Sequence, residues 1–264
     1  MHSSNLRVLV RGAGETATGV AIRLFRCGMP VLLTELPQPL AVRRTVSFSE
    51  AIYTEQAWVE GLEARRAEGF RHALTVQESG AIPVVVDPEA RLLALYRPAV
   101  VVVATRTDGP APTRVSDALL VVGLGSGFEV GVHGHYVVET FPGHSLGRLY
   151  DRGRLDDTAR IVGDRVIRAP IDGPFRPKVS IGDRVDSGAL VAEVNGQLLH
   201  SGTSGLVRGI LRPGVRVGAG TRVADVDPSV DPRSLHTVSE RALAAGGAVL
   251  EAILRHFGPP PVGG

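Results

Sequence analysis

The sequence predicts an α/β protein in three parts: a helix-covered, mostly parallel sheet domain over residues 1–165, a small all-β domain over 166–229, and a C-terminal helix over 230–264. Three observations carry this reading. Short β-branched runs alternate with helical stretches as far as Tyr150, an internal repeat begins just after Ile167, and a helical apolar pattern runs from Thr237 to Phe257. Alternation of this kind is how a parallel sheet covered by helices reads.

In the first part the candidate strands are Arg7–Val10, Pro30–Glu35, Pro83–Asp87, Ala99–Thr105, Ala118–Val122 and Tyr136–Thr140. Ser47-Phe-Ser-Glu50 has capping-box spacing and predicts a short helix. Phe70–Glu78 and Glu89–Tyr96 read as helices, while Gln56–Arg66 has mixed periodicity and stays ambiguous.

The stretch "VLVRGAGETATGVAIRL" from Val8 reads as strand, glycine turn and helix. In Gly12-x-Gly14-x-x-Ala17 the first glycine permits a tight turn, the second lets backbone N–H groups approach a phosphate, and Ala17 allows close helix–strand packing. Glu35 ends the next strand at the spacing of an acid that holds a ribose hydroxyl. The first domain is therefore expected to be Rossmann-like and to bind a nucleotide. Arg11 either reaches a phosphate or is a surface side chain at a strand end. Glu15 suits the helix dipole but would repel a pyrophosphate. Of the adjacent Arg43 and Arg44, one at most is expected to fork onto phosphate oxygens.

A second glycine turn, Gly123-Leu-Gly125-Ser-Gly127, suggests either backbone near a ligand or a sharp bend. It is not a nucleophile elbow, because Leu124 and Phe128 flank Ser126 where glycines are needed. Next, "VHGHYVVETFPGHSLGR" gathers His133, His135, Glu139, His144 and Arg148. The spacing fits no standard zinc signature, so a substrate-contacting polar cluster and hydrogen-bonded structural histidines are the competing readings, and no metal is assigned.

From Ala169, "APIDGPFRPKVSIGDRVDSGALVAEV" is echoed by "SGTSGLVRGILRPGVRVGAGTRVADV" from Ser201. Gly173, Gly182 and Gly188 match Gly205, Gly214 and Gly220, and Val191 and Val194 match Val223 and Val226. With the Asn195-Gly196 turn between the halves, this predicts a barrel-sandwich hybrid domain of biotinyl or lipoyl carrier type. Lys178 is the chain's single lysine and does not lie at that turn, so neither biotin nor lipoate is expected there. Thr237-Val-Ser-Glu240 opens the final helix, where Gly246-Gly247 requires a close backbone approach as compensation. A frayed Pro-Gly tail follows.

A net charge of +2 with scattered arginines argues against a nucleic-acid partner. Apolar runs are too short for a membrane helix, and the lone Cys27, expected to be packed rather than catalytic, allows no internal disulfide. The expected compartment is cytoplasmic.

Together, "VRGAGETATGVAIRL", "ELPQPLAVRRTVSFSEA", "VVGLGSGFEVGVHGHYVVETFPGHSLGR", "ADVDP" and "SERALAAGGAVLEAIL" resemble the YqeB-type accessory family of the selenium-dependent molybdenum hydroxylase system. The resemblance implies a role in maturing a molybdenum hydroxylase such as xanthine dehydrogenase. The expected ligand is molybdopterin cytosine dinucleotide or another nucleotide, and the expected partner an apo-hydroxylase or another maturation protein; a homo-oligomer stays open. An NAD(P)-dependent oxidoreductase and a non-enzymatic scaffold docking through the barrel-sandwich domain are the alternatives, so catalytic turnover is left open.

Overall fold

The computed structural model describes residues 6–105, 113–155, 165–229 and 231–258. The tail after Gly258 and most of the "TRTDGPAP" stretch lie outside the described residues. Two compact units emerge, one from Met1–Pro39, Ser47–Thr158 and Val238–Gly264, the other from Leu40–Val46 and Ala159–Thr237.

The first unit contains β1 (Val8–Arg11), α1 (Glu15–Arg26), β2 (Val31–Glu35), α2 (Ala51–Thr54), β3 (Gln56–Val59), β4 (Leu62–Ala67) and α3 (Gly69–Glu78). It continues with β5 (Ile82–Val86), α4 (Leu93–Tyr96), β6 (Val100–Val103), β7 (Leu120–Leu124), β8 (Tyr136–Val138), β9 (Leu149–Tyr150) and, from the far end of the chain, α5 (Glu240–Phe257). The strands form one sheet in the order β3-β4-β5-β2-β1-β6-β7-β8-β9. β1 lies between parallel neighbours, Val8 opposite Val31 on one side and Val100 on the other. Every residue of β1 and β6 is buried, which is why these strands are continuous apolar runs rather than alternating ones.

The second unit contains β10 (Val166–Arg168), β11 (Gly173–Pro177), β12 (Arg184–Val185), β13 (Leu190–Val194), β14 (Gln197–His200), β15 (Gly205–Ile210), β16 (Arg216–Val217) and β17 (Arg222–Asp227). They make two four-stranded antiparallel sheets, β10-β17-β15-β12 and β14-β13-β11-β16. Asn195 and Gly196, both at positive φ, turn β13 into β14. On one sheet Asp227 accepts from the Ser229 N–H and hydroxyl and pairs with Arg208 at 3.3 Å.

The fold class therefore differs from expectation in both parts. The large sheet is mixed rather than Rossmann-like: its inner pairings are parallel, but β3 closes one edge antiparallel to β4 and β9 closes the other antiparallel to β8. The ambiguous Gln56–Arg66 stretch is the hairpin β3–β4, turned by Glu60 and Gly61 at φ 49° and 79°. The repeat builds two antiparallel sheets in place of a barrel-sandwich hybrid domain. Its glycines and valines set turns and inward positions, whereas strand partnership also depends on β10 and β14, which fall outside the echoed stretches, and on residues 40–46, where the Val42 carbonyl accepts the Ile210 N–H at 2.8 Å. A scaffold reading that relied on a barrel-sandwich module loses that basis.

Smaller expectations also shift. Cys27 is exposed at the C-terminal end of α1, where Gly28 at φ 76° turns the chain. α4 is shorter than Glu89–Tyr96, since the Asp87 carboxylate accepts the Arg91 and Leu92 N–H groups and holds the preceding residues as a turn. α5 is capped by Ser239, whose hydroxyl accepts the Ala242 N–H, so it starts later than Thr237. Among the described residues no helix is long and apolar enough to cross a membrane.

α5 packs on α1 through small residues. A Cβ at Gly19 would lie 2.6 Å from the Ala242 carbonyl oxygen, and one at Gly246 would lie 2.7 Å from Arg23 Cγ and 2.8 Å from the Gly19 oxygen. The close approach offsets the helix penalty of Gly246, whereas Gly247 is exposed with nothing within 4 Å of its missing Cβ. Gly247→Ala should therefore raise stability by up to about 1 kcal/mol through helix propensity. Gly19→Ala should instead lower it by about 1–3 kcal/mol through overpacking, both being read from denaturant midpoints.

Candidate functional site

At the C-terminal end of β1 the chain turns through Gly12, Ala13 and Gly14 into α1. β1 is where chain order reverses: β2 and β5 lie to one side, and the chain returns to place β6 on the other. Crevices outside the carboxyl ends of parallel strands at such a reversal are the usual ligand sites of open α/β sheets. Gly12 has φ +100° and its missing Cβ would lie 3.3 Å from Thr105 Cγ2, so the backbone alone demands glycine there. Gly14 is different. It N-caps α1 at φ −68° and ψ 178° with no side-chain cap, and nothing lies within 4 Å of where its Cβ would be.

The turn is pinned from three sides. The Ala13 N–H donates to Glu35 Oε2 at 2.8 Å, and the Ala13 carbonyl accepts the Ser49 N–H at 2.8 Å and the Thr18 hydroxyl at 3.2 Å. Thr18 Oγ1 also accepts the Phe48 N–H at 2.9 Å. Glu35 Oε1 accepts the Leu36 N–H at 2.8 Å. Burial pushes the Glu35 carboxyl above the usual carboxylate range, against the pull of the Leu36 and Ala13 N–H groups. The acid singled out for a sugar hydroxyl is thus a brace of the glycine turn itself. Glu15 accepts the Ser239 N–H at 2.9 Å, so its carboxylate ties the start of α1 to the start of α5.

The other sequence candidates scatter. Arg11 is buried, donates from Nη2 to the Pro88 carbonyl at 3.2 Å, and lines a cleft of about 700 Å³ beside Arg114 and Asp117. Burial lowers its pKa, while Asp117 and Asp87 act to raise it. Arg43 and Arg44 belong to the second unit, where Arg43 donates to the Ser234 carbonyl at 3.3 Å and Arg44 to the Ile210 carbonyl at 2.7 Å.

The second glycine turn has its own structural explanation. A Cβ at Gly123 would overlap the fully buried Phe128 ring, and Gly125 and Gly127 have φ 91° and 92°.

β8 separates the histidine cluster. His135 precedes the strand, accepts the Val121 N–H on Nδ1 at 3.0 Å and stacks edge-on with His256 at 5.3 Å; burial, then His256, lowers its pKa. Glu139 follows the strand, about 13 Å away at the usual rise per residue, and accepts the Phe141 N–H at 2.7 Å. His133 accepts the Glu129 N–H at 3.0 Å, and His144 and Arg148 are exposed. Among the described residues no group of three or more His, Cys, Asp or Glu side chains is placed to hold a metal ion.

Thr18, Ser49 and Ser239, which hold the turn or the helix starts, escape sequence reading. Only Ser239 carries a signal, as the last helix-capping residue before Glu240.

No protein-family model matches the chain. Over 259 residues, 96% of its length, it is 37% identical to the uncharacterized protein YqeB of Escherichia coli (strain K12), and it spans about half, 48%, of that curated relative. The similarity to that relative runs along nearly the whole of this chain. Among solved structures it is similar to the ectoine utilization protein EutE (DoeB) from Ruegeria pomeroyi, with 16% identity, TM-score 0.24, and coverage of 84% of this chain and 52% of the other. A succinylglutamate desuccinylase/aspartoacylase from Rhodobacter sphaeroides shows 15% identity and TM-score 0.26 over 87% of each chain. Scores at this level support no transfer of fold or activity.

The raised Glu35 pKa has a definite sign. The stability it allows is fully present below the unfolded pKa of about 4.3 and is lost as pH rises through the higher folded pKa. Glu35→Gln should therefore flatten the fall in stability above about pH 4.3, measured by denaturant unfolding across pH.

Proposed function

We propose that this YqeB-like chain binds the phosphates of a nucleotide or of molybdopterin cytosine dinucleotide over Gly12–Gly14, and that it serves as an accessory protein in the maturation of a molybdenum hydroxylase. One observation carries the binding part of this reading. Gly14 has an ordinary φ and open space where a side chain would stand, so the fold itself has no need of glycine at that position. Close approach of a phosphate supplies the need.

The 12-residue α1 adds the positive end of its dipole, with no side chain capping it. Glu15, the one acid in that first turn, is engaged with the Ser239 N–H. A pyrophosphate requires N–H donors and positive potential; with the Gly12 N–H on the Thr34 carbonyl and the Ala13 N–H on Glu35, the start of α1 is the part that suits that requirement. Glu35, already braced on Ala13, stands beside the place where a ribose would follow. The maturation role is supported by the sequence resemblance, and the proposed partner is the apo-hydroxylase or another maturation protein.

Gly14→Asp separates binding from folding. Aspartate is a good N-cap, so stability should hold or rise by a few tenths of a kcal/mol. The added carboxylate should weaken binding of CDP, ADP or molybdopterin cytosine dinucleotide by about tenfold or more, about 1.4 kcal/mol, in calorimetry. The reading fails if the folded wild-type chain binds none of these three.

A further inference from the structure

α5 packs on α1, β7 and β8, and its last turn meets the sheet through a pair of histidines. The exposed His256 stacks edge-on with the half-buried His135 at 5.3 Å and with Phe257 at 4.8 Å. His135 is tied to β7 twice. Its own N–H donates to the Val121 carbonyl at 2.8 Å, and its Nδ1 accepts the Val121 N–H at 3.0 Å.

The second bond decides the charge of the ring. A ring nitrogen that accepts carries no proton, so His135 is neutral with its proton on Nε2. In the charged imidazole both nitrogens are donors, and an N–H would then point at the Val121 N–H. The bond to Val121 and the positive ring exclude each other.

The surrounding charges offer no compensation. β7 carries no titratable side chain. Beside β8 the Tyr136 ring lies 5.5 Å from the Arg255 guanidinium, which also pairs with Asp151 beyond β9 at 3.4 Å and with Glu251 of α5 at 3.5 Å. α1 meets α5 with Glu15 at Ser239 and Arg23 at Gly246, both earlier in the helix. Among the described residues no carboxylate pairs with either imidazole. Burial, and then His256, hold the His135 pKa below its ordinary value of about 6.5.

We propose that His135 and His256 form an acid-sensitive latch on the last turn of α5. With His135 neutral, the turn is held against the sheet; protonation breaks the bond to Val121, sets an imidazolium against His256 and releases the turn. The latch is closed above about pH 6.5 and opens as pH falls through the lower pKa of the docked ring. The start of α5, held by Glu15 and Gly19, stays in place. The latch does not depend on the nucleotide reading.

Hydrogen–deuterium exchange of the full chain, corrected for the intrinsic rate at each pH, tests this. The amides of Leu254–Phe257 should exchange about tenfold faster or more at pH 5 than at pH 7.5, while those of Ala245–Val249 keep their protection. His135→Asn, which offers an acceptor that does not titrate, should abolish the acceleration. His256→Gln, at an exposed side chain, should reduce it and serves if His135→Asn fails to fold. The proposal is overturned by equal exchange at both pH values, by loss of protection along the whole of α5, or by wild-type acceleration in either variant.

Discussion

The bond from the Ala13 N–H to the Glu35 carboxylate is the constraint on which the organisation around β1 depends. It joins the ends of two neighbouring parallel strands across a turn that has no side chain of its own to hold it. With Ala13 fixed on its other side by Ser49 and Thr18, the first turn of α1 is aimed by its surroundings. α1 in turn receives α5, because Glu15 accepts the Ser239 N–H and Gly19 admits Ala242. Burying Glu35 works against its ionisation, and two backbone N–H groups offset that cost only in part.

The same use of acids recurs through the first unit. Glu15, Glu35, Asp87, Asp117 and Glu139 all accept backbone N–H groups, so carboxylates that look like ligand-binding candidates organise turns and helix starts. Carboxylates are well suited to this, since a charge-assisted bond to a backbone N–H is roughly twice as strong as a neutral one. The consequence is local: next to β1 the carboxylates of Glu35 and Glu15 hold the glycine turn and the start of α5 through backbone N–H groups.

What could be read in advance follows burial. Val8–Val10 and Val100–Val103 are buried on both faces, and such strands announce themselves as unbroken apolar runs. Gln56–Val59 alternates exposed and buried residues over four positions, too short a stretch to distinguish an edge strand from a helix end. The second unit was legible in its turns, such as Asn195-Gly196, but not in its pairings, because a local pattern does not say which distant strand lies alongside. At the candidate site, Gly12 and Gly14 were readable as a motif. The reach of Glu35 back to Ala13, the burial of Arg11 and the division of His135 from Glu139 by β8 depend on tertiary geometry that spacing does not encode.

The bond between Glu15 and Ser239 spans 224 residues, and every residue of the second unit is synthesised between the two helices it joins. At typical elongation rates of about 5–20 residues per second, α1 is synthesised roughly 10–45 seconds before α5. During that interval the strip around Gly19 has no helix against it. Contacts of such long range form late because loop closure must come first. The nine-stranded sheet can begin to assemble on the ribosome, but its helical cover is completed only after synthesis has passed through both antiparallel sheets.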